Sequence, residues 1–258
     1  MDRTRTVIIR RPAEDEHEKT GLGRYADNCQ ECLGTLPTVE ADLNLKSGLM
    51  NFVINGIIRP FFRMKDLDGN DTVFHATDEL CGFAFRFLRG KKILTVHHII
   101  ERSECSSAYY AIWMRNLRSA IAHADRIIAI SDLTLDELRK LGVPDEKTVR
   151  IDNRISPAFR RLEIAKKDII CCIGELIPRK NMSASIEAFA ELVSHPETSN
   201  YRLVICGKGT EEQSLKELAR VLNVSDCVEF VRDMDTEMIV ELYNESRFVF
   251  NTSLHEGL

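Results

Sequence analysis

The chain has 258 residues, room for about two domains at roughly 150 residues each, and at this size it can bury a core without disulfide or metal staples. Apolar residues make up 44% and charged residues 29%, the composition of an ordinary soluble globular protein. With 35 cations against 40 carboxylates the net charge is -5 and the sequence pI about 5.9, which excludes a general nucleic-acid binder with its strongly basic footprint. Arg3, Arg5, Arg10 and Arg11 near the start are not followed by an apolar signal segment, so a cytoplasmic chain with reduced thiols is expected. No run reaches the ~18 apolar residues of a membrane span.

In chain order, Thr6–Ile9 reads as a first strand, and Leu22–Leu33 as a helix opened by glycines. Thr72–His75 and Lys92–His97 read as buried strands. Ahead of them, Ser47–Lys65 mixes apolar residues with Arg59, Arg63 and Lys65; it reads as a partly buried helix, or as one lying on an anionic membrane surface. Tyr109–His123 is helical, Arg126–Ile130 is a strand, and Ser131 or Asp132 caps a helix that ends at Gly142 before Pro144. Thr148–Ile151 closes this half.

After the polar stretch Pro157–Lys167 the pattern restarts. Strands are expected at 169–173, 201–206, 228–231 and 248–250, and helices at 181–193, 211–222 and 236–245. Strand–helix alternation of this kind means βαβ units and a parallel sheet covered on both faces. The expected fold class is therefore α/β: two Rossmann-like doubly wound domains, residues 1–160 and 161–258, with ligand at the carboxyl ends of the strands.

Three turns at those strand ends carry chemistry. Thr20-Gly21-Leu22-Gly23-Arg24-Tyr25 opens the first helix, where glycine lets backbone approach a ligand and free N–H groups favour an anion. Gly174-Glu175-Leu176-Ile177-Pro178-Arg179-Lys180-Asn181 places two cations ahead of a helix, where positive charge is disfavoured unless a phosphate accepts it. Gly207-Lys208-Gly209 follows the next strand and again precedes a helix.

These motifs, with Thr-Val-His-His (95–98), Ala-Asp-Arg-Ile-Ile-Ala-Ile-Ser (124–131) and Ser-Leu-His-Glu-Gly-Leu (253–258), resemble the group 1 glycosyltransferases, that is glycosyltransferase family 4 with the GT-B fold. The resemblance is sparse before about Ile93 and close from Ala124 onward. It implies a retaining transferase, mannosyltransferase-like in its motifs. Such an enzyme moves a sugar from a nucleoside-diphosphate sugar to a hydroxyl of a glycan or lipid-linked acceptor, with the two domains facing a cleft and no metal or other cofactor. On that resemblance Arg179, Lys180 and Gly23 bind the donor diphosphate, and His97 and Glu256 are the catalytic pair facing the transferred sugar. Gly174, Gly207, Lys208 and Gly209 form the nucleotide-side loops. Glu256 matches the first glutamate of a Glu-x7-Glu motif whose second would fall past Leu258, so a second domain incomplete at its C-terminus is expected. The alternative is a catalytically incompetent remnant that binds nucleotide or acts as a scaffold. Glu175 stands where many members carry arginine.

The remaining candidates read as structural. Asp66-Leu67-Asp68 reads as a polar turn and Asp233–Asp235 as a helix start. Cys29-x-x-Cys32 has no second ligand pair and reads as small buried apolar residues, like Cys171, Cys172 and Cys206. His17, His75, His123 and His195 show no ligand spacing, and Trp113 reads as core.

Overall fold

The computed structural model describes residues 4–12, 21–34, 36–43, 49–102, 105–254 and 256. The chain divides between Arg154 and Ile155 into two compact units.

The first unit carries a six-stranded sheet of β1 (Arg5–Arg10), β2 (Thr38–Glu40), β3 (Thr72–Ala76), β4 (Lys91–Val96), β5 (Arg126–Ala129) and β6 (Thr148–Arg150). Their order is β2-β1-β3-β4-β5-β6 and every pairing is parallel. Val7, Ile9, Phe74, Leu94 and Ile127 are fully buried, as parallel strands covered on both faces must be. The helices are α1 (Gly21–Leu33), α2 (residues 49–66), α3 (Ser107–His123) and α4 (Asp132–Lys140). Ser106 and Ser131 cap α3 and α4 by accepting the backbone N–H of Tyr109 and Thr134. Trp113, Leu117 and Ala120 seat α3 in the core.

A 3-10 turn, Cys81–Phe87, packs so closely on α3 that a Cβ at Gly82 would lie 2.7 Å from that of Ala120. The alternation pattern misses this turn and also β2, which is three residues long and too short to show a period. It also misses the π-helical stretch Phe52–Ile58 inside α2. There Gly56 lies against the Asp42 carbonyl, with a Cβ only 2.4 Å from that oxygen, an approach open to glycine alone.

The second unit, residues 155–256 in the main, has strands β7 (Lys167–Ile173), β8 (Arg202–Cys206), β9 (Val228–Val231) and β10 (Ser246–Val249). They form a parallel sheet in the order β10-β7-β8-β9. Helices α5 (Met182–Val193), α6 (Glu212–Val221) and α7 (Thr236–Glu245) connect them. Ile186, Phe189, Leu203, Ile205 and Leu215 form the principal core. The polar stretch before β7 docks on α7: Asn244 Oδ1 accepts from Leu162 N at 2.8 Å, and Asn244 Nδ2 donates to the Arg160 carbonyl at 3.0 Å. β10 begins two residues before its expected start because α7 stops at Glu245 and buried Ser246 returns its hydroxyl to the Leu242 carbonyl.

Cys171, Cys172 and Cys206 are buried, as expected, but Cys32 is exposed on the outer face of α1. Its CxxC partner Cys29 is only half-buried, so that pair is not core.

Candidate functional site

In a doubly wound sheet the ligand crevice opens where the strand order reverses. In the second sheet the chain runs β7, β8, β9 in one direction and then returns to place β10 on the other side of β7. The reversal lies between β7 and β10, so the segments after those two strands flank the crevice. After β7 comes the turn holding Arg179 and Lys180, and after β10 comes the segment 250–256.

The sequence builds this turn in a specific way. Pro178–Lys180 forms a single 3-10 turn, and Asn181 at φ 50°, ψ 43° links it to α5. That left-handed conformation is one asparagine tolerates better than most residues. The segment after β10 is fastened onto it. Leu254 N donates to the Arg179 carbonyl at 2.9 Å, Asn181 Nδ2 to the Thr252 carbonyl at 3.2 Å, and Thr252 Oγ1 to the Asn181 carbonyl at 2.8 Å. Thr252 Oγ1 also lies 2.9 Å from Ser185 Oγ. Thr252 and Ser185 escaped the sequence reading, because lone hydroxyls carry no periodic signal.

Glu256 thereby reaches both cations. Arg179 Nη1 donates to Glu256 Oε2 at 3.0 Å, and Lys180 Nζ donates to Oε1. All three side chains are roughly three-quarters buried. Burial alone would push the Glu256 carboxyl up, but the Lys180 and Arg179 bonds hold it below its usual range. The geometry is a two-pronged cationic clamp closed on a carboxylate, which an anion with several oxygens would satisfy equally well.

The glycine loops beside it are laced together. Gly174 N donates to the Cys206 carbonyl at 3.0 Å, Leu176 N to the Lys208 carbonyl at 2.8 Å, and Glu211 N to the Leu176 carbonyl at 2.9 Å. A Cβ at Gly207, where φ is 152°, would sit 1.9 Å from the Gly174 oxygen, and one at Gly209 would sit 2.1 Å from the Leu176 oxygen. Close backbone packing therefore already requires both glycines. Lys208 pairs with Asp233, and Asp235 caps α7 through Met238 N at 2.8 Å.

In the first sheet the order reverses between β1 and β3. Thr77, Asp78 and Glu79 follow β3, and His97 and His98 follow β4. Glu79, 5% exposed, accepts from the backbone N–H of both histidines. His97 Nε2 bonds the Thr77 carbonyl at 3.0 Å, so it must donate, which in the neutral ring places the proton on Nε2 and leaves Nδ1 as the acceptor. Burial lowers the His97 pKa. It also lowers His75, with His97 as the second cause, to about 4. Burial, reinforced by Asp78, pushes the Glu79 carboxyl up to about 7. Tyr25 meets the His97 ring edge-on at 4.6 Å and shares Thr95 Oγ1 with His75. The acidic pair 78–79 directly after a buried strand was the missed signal. Gly23 lies in the first turn of α1 and, with Arg10, Arg11 and Asp78, lines a small depression.

Asp68 is spoken for: its carboxylate, 1% exposed, accepts from Arg89 N and Gly90 N and pairs with Lys65. Among the described residues no three metal-ligating side chains converge. His17, His255, Gly257 and Leu258 lie outside the described residues.

Two units, each built on a parallel doubly wound sheet, define an α/β protein of the Rossmann-like class. Residues 51–159 match the model for Glycosyltransferase Family 4 and residues 156–258 that for Glycosyl transferases group 1. The chain belongs to the group 1 glycosyltransferases. It is 37% identical over 82 residues to a D-inositol 3-phosphate glycosyltransferase of Acidothermus cellulolyticus, covering 29% of this chain and 18% of that protein. Sucrose-phosphate synthase from Thermosynechococcus elongatus superposes with a TM-score of 0.76 at 14% identity, over 98% of this chain and 77% of the other. Anabaena HepE, solved with UDP and glucose, gives 0.72 at 14% identity over 99% and 76%. S. aureus TarM gives 0.62 at 16% identity, and the chain spans 40% of its length. At these identities the solved structures speak for the fold.

Proposed function

We propose that this chain takes part in glycosyl transfer from a nucleoside-diphosphate sugar to an acceptor hydroxyl, with retention at the anomeric carbon. The observation that carries the reading is the Arg179–Lys180 clamp at the strand-order reversal of the second sheet, already closed on a carboxylate. In the reaction the bond from the sugar's anomeric carbon to the diphosphate oxygen breaks and a bond to the acceptor oxygen forms. Negative charge accumulates on the departing diphosphate, and Arg179 and Lys180 neutralise it. Glu256 then turns from the cations to the sugar; the roles proposed for His97 at the sugar and Gly23 at the diphosphate rest on the family motifs. HepE, of the same fold, has been solved with UDP and with UDP-glucose, which supports a uridine donor as the first to try. The acceptor is a glycan or a lipid-linked saccharide.

Incubating the purified protein with UDP-, GDP- and ADP-sugars labelled in the sugar, plus glycan and lipid-linked acceptors, tests the reading. Label moving to an acceptor with its anomeric configuration kept is the expected result. Nucleotide binding without any transfer would favour the second reading, a nucleotide-binding scaffold. Neither binding nor transfer would remove both.

A further inference from the structure

His97 is held from three directions. Its ring Nε2 donates to the Thr77 carbonyl at 3.0 Å, and its backbone N–H donates to Glu79 Oε1. The same oxygen accepts from His98 N at 2.9 Å. Tyr25 meets the His97 ring edge-on, with centroids 4.6 Å apart. Glu79 is itself anchored from α3, where Asn116 Nδ2 donates to the Glu79 and Leu80 carbonyls, each at 3.3 Å.

These bonds do not serve the sheet. β3 and β4 pair in parallel register as far as Ala76 and Leu94, and Glu79, His97 and His98 all lie past those last partners. What Glu79 orders is therefore the turn after β4. Two successive backbone N–H groups of this kind make a natural seat for an anion, and here a side chain from the neighbouring strand end fills it. Burying that carboxyl, 5% exposed, costs free energy that its hydrogen bonds only partly return. A turn left in water would satisfy both amides without the cost. The adjacent Asp78 has other partners: it accepts from Arg11 Nε at 3.0 Å, Leu80 N at 2.8 Å and Cys81 N at 3.1 Å.

We propose that Glu79 is a positioning residue for His97. By taking both amides after β4 it sets the backbone so that Nε2 meets the Thr77 carbonyl and Nδ1 is the nitrogen offered to a hydroxyl of the bound sugar. The proposal rests on the role given to His97 in the transfer reading. Without the Glu79 acceptor the ring loses its fixed approach to Thr77, and both tautomers become populated. A ring protonated on Nδ1 then presents a donor where a hydroxyl proton has to be received. Because Glu79 acts only through His97, the loss falls on turnover rather than on donor binding.

The test combines NMR of the ring nitrogens with the transfer assay, on the whole chain. Glu79→Gln keeps an accepting oxygen, Glu79→Met keeps the volume and loses it, and His97→Gln assigns the ring signals. The wild type and Glu79→Gln should show His97 protonated on Nε2, with kcat values within about threefold of each other. Glu79→Met should show mixed tautomers, His97 and His98 amides exchanging about tenfold faster, and kcat lower by roughly thirtyfold at an unchanged donor KM. A wild-type ring protonated on Nδ1 overturns the proposal, as does a Glu79→Met variant with wild-type exchange and kcat. Equal losses of kcat in the Gln and Met variants also overturn it, because glutamine keeps the bonds. If Glu79→Met does not fold, the wild-type tautomer and the kcat of Glu79→Gln decide. A wild type that moves sugar to no acceptor overturns the transfer reading instead, and the tautomer and exchange measurements then decide the positioning by themselves.

Discussion

Glu256 and Lys180 are bonded side chain to side chain across 76 positions of sequence, and Arg179 closes on the same carboxylate from the other side at 3.0 Å. The cations predicted to hold a ligand's phosphates thus already hold an internal anion. Any phosphate that enters must displace it.

Glu256→Gln should therefore tighten binding of UDP, or of bare pyrophosphate, by about threefold to tenfold. The gain is modest because a partly exposed ion pair is worth about 1 kcal/mol. Sugar transfer by the same variant should fall. Isothermal titration calorimetry reads the first effect, and weaker pyrophosphate binding by the variant would contradict the displacement argument. The wild-type gain from this pairing is present above the ordinary glutamate range and is lost as pH falls through the lowered carboxyl value.

Lys180→Ala and Arg179→Ala should each weaken nucleoside-diphosphate binding roughly tenfold, the cost of one charge-assisted bond at about 1.5 kcal/mol. Nucleoside binding, with no phosphate to grip, should be unchanged. Comparing UDP with uridine in the same calorimeter separates loss of the clamp from loss of the fold.

The first unit carries two opposed titrations. His75 is depressed from 6.5 to about 4, so its neutral form favours the fold above pH 6.5, and that stability is lost as pH falls toward 4. Glu79 is raised from 4.5 to about 7, so its protonated form favours the fold below pH 4.5, and that stability is lost as pH rises toward 7. Each swing is on the order of 3 kcal/mol, and between pH 4.5 and 6.5 the two slopes offset each other. Glu79→Gln removes one of them. Its melting temperature, relative to wild type, should climb with pH across that window in thermal scans; parallel curves would show that Glu79 does not titrate there.

Gly207→Ala should cost about 3 kcal/mol, since it combines a φ of 152° with a Cβ 1.9 Å from the Gly174 oxygen. Gly34→Ala, at φ 83° with nothing within 4 Å, should cost only about 1 kcal/mol. Urea denaturation of the pair measures the difference. Equal losses would mean that the two loops are not packed as tightly as the backbone bonds require.

Both sheets were legible in the sequence because a buried parallel strand is a short apolar run, and runs such as Ile169–Ile173 and Lys92–Val96 announce themselves. β2 was not, since three residues set no period. The cation turn was readable from charge placed where a helix disfavours it. Its partner Glu256 was seen as a motif residue, but its bond to Arg179 and Lys180 was not, because that contact depends on β10 folding back beside β7. Gly207 and Gly209 showed the opposite ambiguity: the letters suggested room for a ligand, while the coordinates put neighbouring backbone in that room. Glu79 was overlooked because a carboxylate's usual place is in water, and only the folded sheet reveals that it gathers the two histidine amides.

The bonds that fasten residues 252–254 to the turn and to Ser185 have a practical corollary. A protein shortened after Phe250 would retain all four strands of the second sheet but lose the rivets that aim Arg179 and Lys180. Spectroscopically it would pass for intact, yet its basic fork would swing loose. If the turn grips phosphate as proposed, selectivity among phosphorylated ligands would reside in a strip of half a dozen amino acids at the edge of the domain.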